Sequence, residues 1–236
     1  MWERFCLEFF LGGKPLKLFV LDPCGANASF VLADTRSPSY ALMTLEGRSA
    51  SERLLPELRA ALDIQGWMLR DLAAVGVVSG PGSFTGARVG LAAAKGFCEA
   101  AVLPLVMVSR LAVLAHKAGA DQPETVHALL SAGRGEFFYR RSAPTKLPIE
   151  ALLSRDAVLA ATIAGIVVAC EPKIRQEFPE RNVLLTPPLT ASDALPLVLS
   201  RFREQTFDDI ASADANYLGR TELEVLEELR RRAGTA

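Results

Sequence analysis

Histidine is nearly absent. The 236 residues contain two, His116 and His127, with no H-E-x-x-H or H-x-E-x-H spacing around either. Zinc hydrolases draw their ligands from such spacings, so the pair reads as two ordinary isolated histidines. Cysteine is sparse too. Cys6, Cys24, Cys98 and Cys170 include no C-x-x-C pair, which argues against a zinc cluster or a disulfide framework and points to a reducing cytoplasm. Neither sign of charge dominates: 26 Lys and Arg face 27 Asp and Glu, for a net charge of -1. Nothing global draws the chain to nucleic acid or to an anionic membrane; contact with RNA would need a partner or a local patch. No apolar run is long enough to span a bilayer. Glu3, Arg4 and Glu8 interrupt the apolar N-terminus, unlike a signal peptide.

What remains is ample core material. Half the residues are hydrophobic and 22% are charged, enough for one large domain or two small ones. Lys17 to Asp22, Asn27 to Ala33 and Ser39 to Leu45 read as three strands of an antiparallel meander, with turns at Gly25 and at Arg36-Ser37-Pro38. Leu54, Leu55, Leu58 and Leu62 recur at helical spacing over Ser51 to Leu62, with Ser51 as N-cap and Glu52 at the positive helix end. Ala73 to Ser79 and Pro104 to Val108 read as strands, Gly86 to Ala101 and Arg110 to Ala118 as helices. The polar stretch 119–125 marks a boundary between an N-terminal lobe, 1–118, and a second lobe, 119–236, whose C-terminal helix is free to pack back on the first. Beyond it a hairpin spans Val126 to Leu130 and Glu136 to Arg141. There follow a strand over Leu147 to Leu153, a short helix from Asp156, a strand over Gly165 to Ala169, and helices over Asp193 to Gln205 and Thr221 to Arg232. Each half opens on adjacent strands and continues as mixed α/β, which suits two related lobes.

The densest local signal is the run Ser79-Gly80-Pro81-Gly82-Ser83-Phe84-Thr85-Gly86, between a strand and an Ala-rich helix. Glycines free the backbone there, Ser83 or Thr85 can cap the helix, and a helix start of this kind attracts anions. A Walker loop needs Gly-Lys-Ser/Thr at the helix start, and Lys95 lies about two and a half turns along instead. A serine hydrolase needs G-x-S-x-G, and Ser83 stands in the wrong frame. Two readings stay open: an anion-contact loop of Asp22, Gly80, Gly82, Ser83 and Thr85, or a tight turn with close helix packing along Gly86, Gly90 and Ala94. Asp22 is likewise open, as a carboxylate for a hydrated metal beside a phosphate or as a capped Asp-Pro-Cys-Gly turn.

Ser79 to Gly96 closely resembles the GPGSFTG-R-x-G-L-A-x-A-K-G motif of the bacterial TsaB (YeaZ) family. Leu18 to Asp22 is similar to that family's first strand, Ser51 to Pro56 to its S-E-x-L-L-P helix start, Arg134-Gly135-Glu136 to its R-G-E hairpin, and Asn216 to Arg220 to its terminal Tyr-Leu-Arg element. The match is strong over 17–140 and faint beyond. TsaD proteins share the motif in weaker form, with a metal-binding H-x-E-x-H that is missing from this sequence.

The resemblance implies an actin-like, sugar-kinase-like α/β fold of two lobes, with residues 1–16 as an extension. It implies a cytoplasmic, non-catalytic subunit, homodimeric in isolation and not bound to membrane. Such a subunit supports a TsaD-type enzyme, with a TsaE-type ATPase, in threonylcarbamoylating the tRNA adenosine next to the anticodon. The tRNA is then met only through the complex. No catalytic residue, metal or cofactor belongs to this chain alone; ATP or ADP with Mg is expected at the interface of the complex. The partner interface falls on Glu52, Leu54, Leu55, Leu58 and Leu62 of one helix and on Arg88, Val89, Ala92, Ala93, Gly96 and Phe97 of the next. Departures are Asp22-Pro23-Cys24 for the family's Asp-Thr-Ser, Ala50 for a histidine, and Ser131 and Gly133 in the hairpin. An ATP-binding or peptidase-like enzyme of the same fold, or a homodimeric module without a tRNA role, are the alternatives.

Overall fold

The computed structural model describes residues 15–36, 40–45, 50–119 and 124–218. Several expectations lie outside them: the Ser51 side-chain cap, the turn at 37–38, the boundary at 120–123, most of the 1–16 extension, Gly219 and Arg220, and the helix over Thr221–Arg232. The chain divides into two compact units. One is the described part of Met1–Val113 with Pro188–Ala215; the other is Leu114–Pro187 with the described part of Asn216–Ala236.

The first unit is built on a five-stranded sheet of order β3-β2-β1-β4-β5. Its strands are β1 (Lys17–Asp22), β2 (Ala28–Asp34), β3 (Tyr40–Leu45), β4 (Ala74–Val78) and β5 (Leu105–Val108). The first three form the antiparallel meander, while β4 and β5 run parallel to β1. Helix α1 (Ala50–Gln65) follows β3, α2 (Phe84–Ala101) links β4 to β5, and α3 (Arg110–Lys117) follows β5. Strand β1 is apolar almost throughout because the sheet is covered on both faces. Phe19 of β1 meets Phe97 of α2 edge-on, with ring centroids 5.6 Å apart. On the opposite face, Gly76 of β4 lies between Val20 and Val198, and a Cβ there would stand 2.8 Å from the Val198 side chain. Val198 belongs to α6 (Ala191–Arg203), whose N-terminus is tied to β2 by the Ala191 N–H donating to Ser29 Oγ at 2.9 Å.

Helix α6 therefore closes the first unit, although the sequence expectation assigned 119–236 to the second lobe and allowed only its C-terminal helix to pack back on the first. The reason is packing: α6 buries Ala191, Ala194, Leu195, Val198 and Leu199 and touches β1, β2, β4 and β5.

The second unit repeats the same plan, with sheet order β10-β9-β6-β7-β8. Strands β6 (Val126–Gly133), β7 (Glu136–Ala143) and β8 (Lys146–Ser154) form an antiparallel meander. Strands β9 (Ile166–Ala169) and β10 (Val183–Leu185) run parallel to β6. Helices α4 (Arg155–Ala161) and α5 (Pro172–Glu177) supply Val158 and Ile174 to a core with Leu129, Phe137, Val167 and Phe178. The Phe137 and Phe178 rings meet edge-on at 4.8 Å. Among the described residues, no helix is long and apolar enough to cross a membrane.

Candidate functional site

The three parallel strands of the first unit end at one edge of the sheet, where open α/β sheets place ligand sites. Three segments meet there: Asp22 to Asn27 after β1, Ser79 to Ser83 after β4, and Ser109-Arg110 after β5. The Arg110 backbone N–H donates to Gly80 O at 2.7 Å, and the Ser83 N–H donates to Cys24 O at 3.1 Å. Gly80 has φ +119 beside a cis peptide to Pro81, a backbone region that favours glycine.

Asp22 is 1% exposed, and its Oδ1 accepts the Cys24 N–H at 2.9 Å. This is the capped turn foreseen for Asp-Pro-Cys-Gly. Burial raises the Asp22 pKa, and the Arg110 charge opposes that shift. The Cys24 thiol donates to Val78 O at 3.2 Å, and burial pushes its pKa up. Thiolate chemistry is not favoured in such a setting.

The motif glycines of α2 serve close approach. A Cβ at Gly82 would lie 2.5 Å from Cys24 O; one at Gly86 would collide with Pro23 O; one at Gly90 would collide with the Pro23 ring. The space beside all three is filled by Pro23 and Cys24. The small-residue side of α2 thus faces the β1 loop and the sheet, and the tight-turn reading accounts for it. Ser83 is the N-cap, its Oγ accepting from Gly86 N at 3.2 Å, which satisfies one of the donors left unpaired at a helix start. Ser83, Thr85 and Gly82 are exposed, while Gly80 is buried. Among the described residues, no group of three His, Cys, Asp or Glu side chains could hold a metal ion.

The expected interface residues separate into two sets. Leu54, Leu58, Leu62 and Phe97 are buried in the core of the first unit, at 4%, 3%, 8% and 9% exposure. Their contacts are intramolecular because the apolar stripe of α1 turns toward the sheet. Glu52, Leu55, Arg88, Val89, Ala92 and Gly96 are exposed and Ala93 is half-buried. Leu55 stands out at 60% exposure. Helices α1 and α2 lie side by side, and the Arg88 guanidinium sits 3.7 Å from the centroid of the Phe84 ring, a cation–π contact.

Sequence reasoning missed Arg110. The only signal for it is slight: one arginine opening the otherwise apolar run Arg110-Leu111-Ala112-Val113-Leu114-Ala115. The histidines are structural where described in detail. His127 of β6 places Nδ1 2.8 Å from Tyr139 Oη and Nε2 2.8 Å from Ala164 O.

A family profile described as "TsaD: tRNA N6-adenosine threonylcarbamoyltransferase" matches residues 44–146. The chain is 37% identical over 93 residues to the tRNA threonylcarbamoyladenosine biosynthesis protein TsaB of Escherichia coli (strain K12), covering 39% of this chain and 40% of that protein. It is 32% identical over 133 residues to TsaB of Haemophilus influenzae, covering 56% of each. The matches thus span about half, or less, of the length of these curated relatives. The solved structure "YeaZ from Pseudomonas aeruginosa" superimposes with a TM-score of 0.71 at 25% identity, covering 86% of this chain and 100% of that one. A second Pseudomonas aeruginosa structure, described as similar to peptidase YEAZ, gives a TM-score of 0.72 at the same identity and coverage. With the repeated five-stranded sheets, these likenesses identify the actin-like, sugar-kinase-like α/β fold.

Proposed function

We propose that this chain, which is similar to TsaB proteins and to YeaZ, is a member of that family and serves tRNA threonylcarbamoyladenosine biosynthesis as a non-catalytic subunit. In this reading it docks on a TsaD-type catalytic subunit, supported by a TsaE-type ATPase, and activates it. The tRNA is met through the complex, and ATP or ADP with Mg belongs to the assembled complex rather than to this chain alone. The observation that carries the reading is the outward face of α1 and α2. Leu55, Val89, Ala92 and Gly96 leave apolar and small groups in solvent, a surface that another helix can approach closely.

Reconstitution tests it. Purified chain mixed with the catalytic subunit, the ATPase, threonylcarbamoyl-adenylate, ATP and tRNA should raise modified adenosine, while the chain alone should yield none. Ala92→Arg, which places a long charged side chain on the docking face, should lower binding by at least about tenfold, roughly 1.4 kcal/mol, with the melting temperature unchanged. Full stimulation and binding by Ala92→Arg would sink the placement of the interface. If two copies pair through the same face, the catalytic subunit should convert homodimers to heterodimers on size exclusion.

A further inference from the structure

Arg141 of β7 stands in a row across the second sheet, between His127 of β6 and Ile149 of β8. Residues paired in this way share a face of the sheet, and alternation along β7 puts Arg141 on the face of Phe137 and Tyr139, which α4 and α5 cover. Along β8 that cover is incomplete. Ile149 is 49% exposed, and Leu147, two residues away on the same strand, is 88% exposed. The loop after α4 borders the same row: Ala164 O lies 2.8 Å from His127 Nε2, and the preceding residue, Ile163, is 81% exposed. Arg141 itself is half-buried, and its Nε is buried with no hydrogen-bond partner. Among the described residues, no carboxylate forms an ion pair with it. Glu150, its neighbour on β8, points to the opposite face, where it holds Arg140 at 2.7 Å and accepts from Asn216 Nδ2 at 3.0 Å. A guanidinium that keeps its proton among aliphatic side chains calls for an anion.

The end of the chain has the matching chemistry. Asn216 is held at Glu150, next to Ile149 on the strand, and residues 219–236 follow beyond the described part. The sequence predicts a helix over Thr221 to Arg232. On such a helix Glu222, Val225, Leu226 and Leu229 share one face, at spacings of three, four and seven. One carboxylate thus sits in an apolar stripe, as one guanidinium sits in the apolar patch. Glu222 in the first turn and Arg230, Arg231 and Arg232 in the last also suit the helix dipole. The four steps from Leu218 to Glu222 reach about 13 Å, enough to round a single strand, and β8 is an edge strand of the kind that proteins cover or blunt. We propose that the C-terminal segment docks as an amphipathic helix across the edge of β8, with Glu222 paired to Arg141 and the apolar stripe on Leu147, Ile149 and Ile163. This goes beyond the role of α1 and α2 and does not depend on it.

Hydrogen exchange on the full chain tests this, with a synthetic peptide of residues 219–236 as the reference for each variant. A lone helix of this length is marginal in water, so protection beyond that of the peptide reports docking. The amides of Val225 to Arg230 should exchange at least about tenfold more slowly in the chain than in the peptide, at every protein concentration. Glu222→Arg and Arg141→Glu should each speed that exchange by roughly tenfold, and the double variant, with the two charges exchanged, should recover most of the protection. Leu226→Asp should abolish it. Exchange as fast as in the peptide would overturn the proposal, as would single variants that match the wild type or a double variant no slower than either. Protection that grows with protein concentration would give the patch to a second copy, and protection that needs an added catalytic subunit would give it to that partner; either result overturns docking within one chain. Should Arg141→Glu fail to fold, Glu222→Arg, which alters no described residue, decides alone: faster exchange supports the pairing and unchanged exchange overturns it.

Discussion

His127 shows at the scale of one residue how burial turns a titratable group into a structural one. Both ring nitrogens are engaged, Nδ1 with Tyr139 Oη and Nε2 with Ala164 O. The neutral tautomer with hydrogen on Nε2 satisfies both, donating to the carbonyl and accepting from the phenol. Gly165, at φ +104, lets the chain pass so close that a Cβ would stand 3.0 Å from Nε2. Burial lowers the His127 pKa below 6.5, against the Ala164 hydrogen bond and with help from the nearby Arg141 charge. The folded state therefore takes up this proton at lower pH than the unfolded state. Stability from this residue is complete above about pH 6.5 and declines as pH falls toward the lowered folded value, with a slope of at most about 1.4 kcal/mol per unit. Denaturant titrations from pH 7.5 to 5 should show that decline in the wild type and a smaller one in His127→Gln. Equal slopes would show that the histidine titrates alike in both states.

Helix α2 carries two faces with opposite demands on its glycines. Gly90 lies against the Pro23 ring, and a Cβ would stand 2.5 Å from Pro23 Cβ, whereas nothing lies within 4 Å of a Cβ at Gly96. Gly90→Ala should cost about 1–3 kcal/mol through overpacking. Gly96→Ala should gain about 0.5–1 kcal/mol, because alanine is the better helix residue where space is open. Urea unfolding midpoints of the two variants should move in opposite directions; a shared direction would refute the assignment of faces. At this scale the sequence was legible where periodicity is long. The strands from Lys17 to Asp22 and Ala74 to Val78, and the helix over Phe84–Ala101, follow from apolar runs and capping. The inward turn of Leu54, Leu58 and Leu62 was not legible, since a docking stripe and a core stripe share one spacing. Strand β10 has 3 residues and α5 has 6, too few for a periodic signal. Arg110 escaped notice because its guanidinium meets Gly25 and Gly82, and those glycines are far away in sequence.

The whole molecule is two copies of one topological idea, an antiparallel meander extended by two parallel strands. The first unit is completed only when the chain returns to it at Pro188–Ala215. That return is invisible in sequence, because an amphipathic helix does not state which sheet it will cover. It has a cost when cut. Ending the chain after Pro187 removes α6 and the Ala191 to Ser29 hydrogen bond. It also bares the face of β1 and β4 that Val20 and Gly76 line. Five buried residues of α6 leave the core with it, Leu195, Val198 and Leu199 among them. At about 1.5–3 kcal/mol for each large aliphatic side chain, the loss is comparable with the 5–15 kcal/mol stability of a typical domain. Strands β6 to β10 lie between residues 126 and 185, so the second sheet remains complete in the shortened chain. Hydrogen exchange on that chain should show the amides of β1 and β4 unprotected and those of β6 and β7 still slow. Protection retained in β1 and β4 would mean that the first sheet stands without α6, and that the return of the chain is not what completes the first unit.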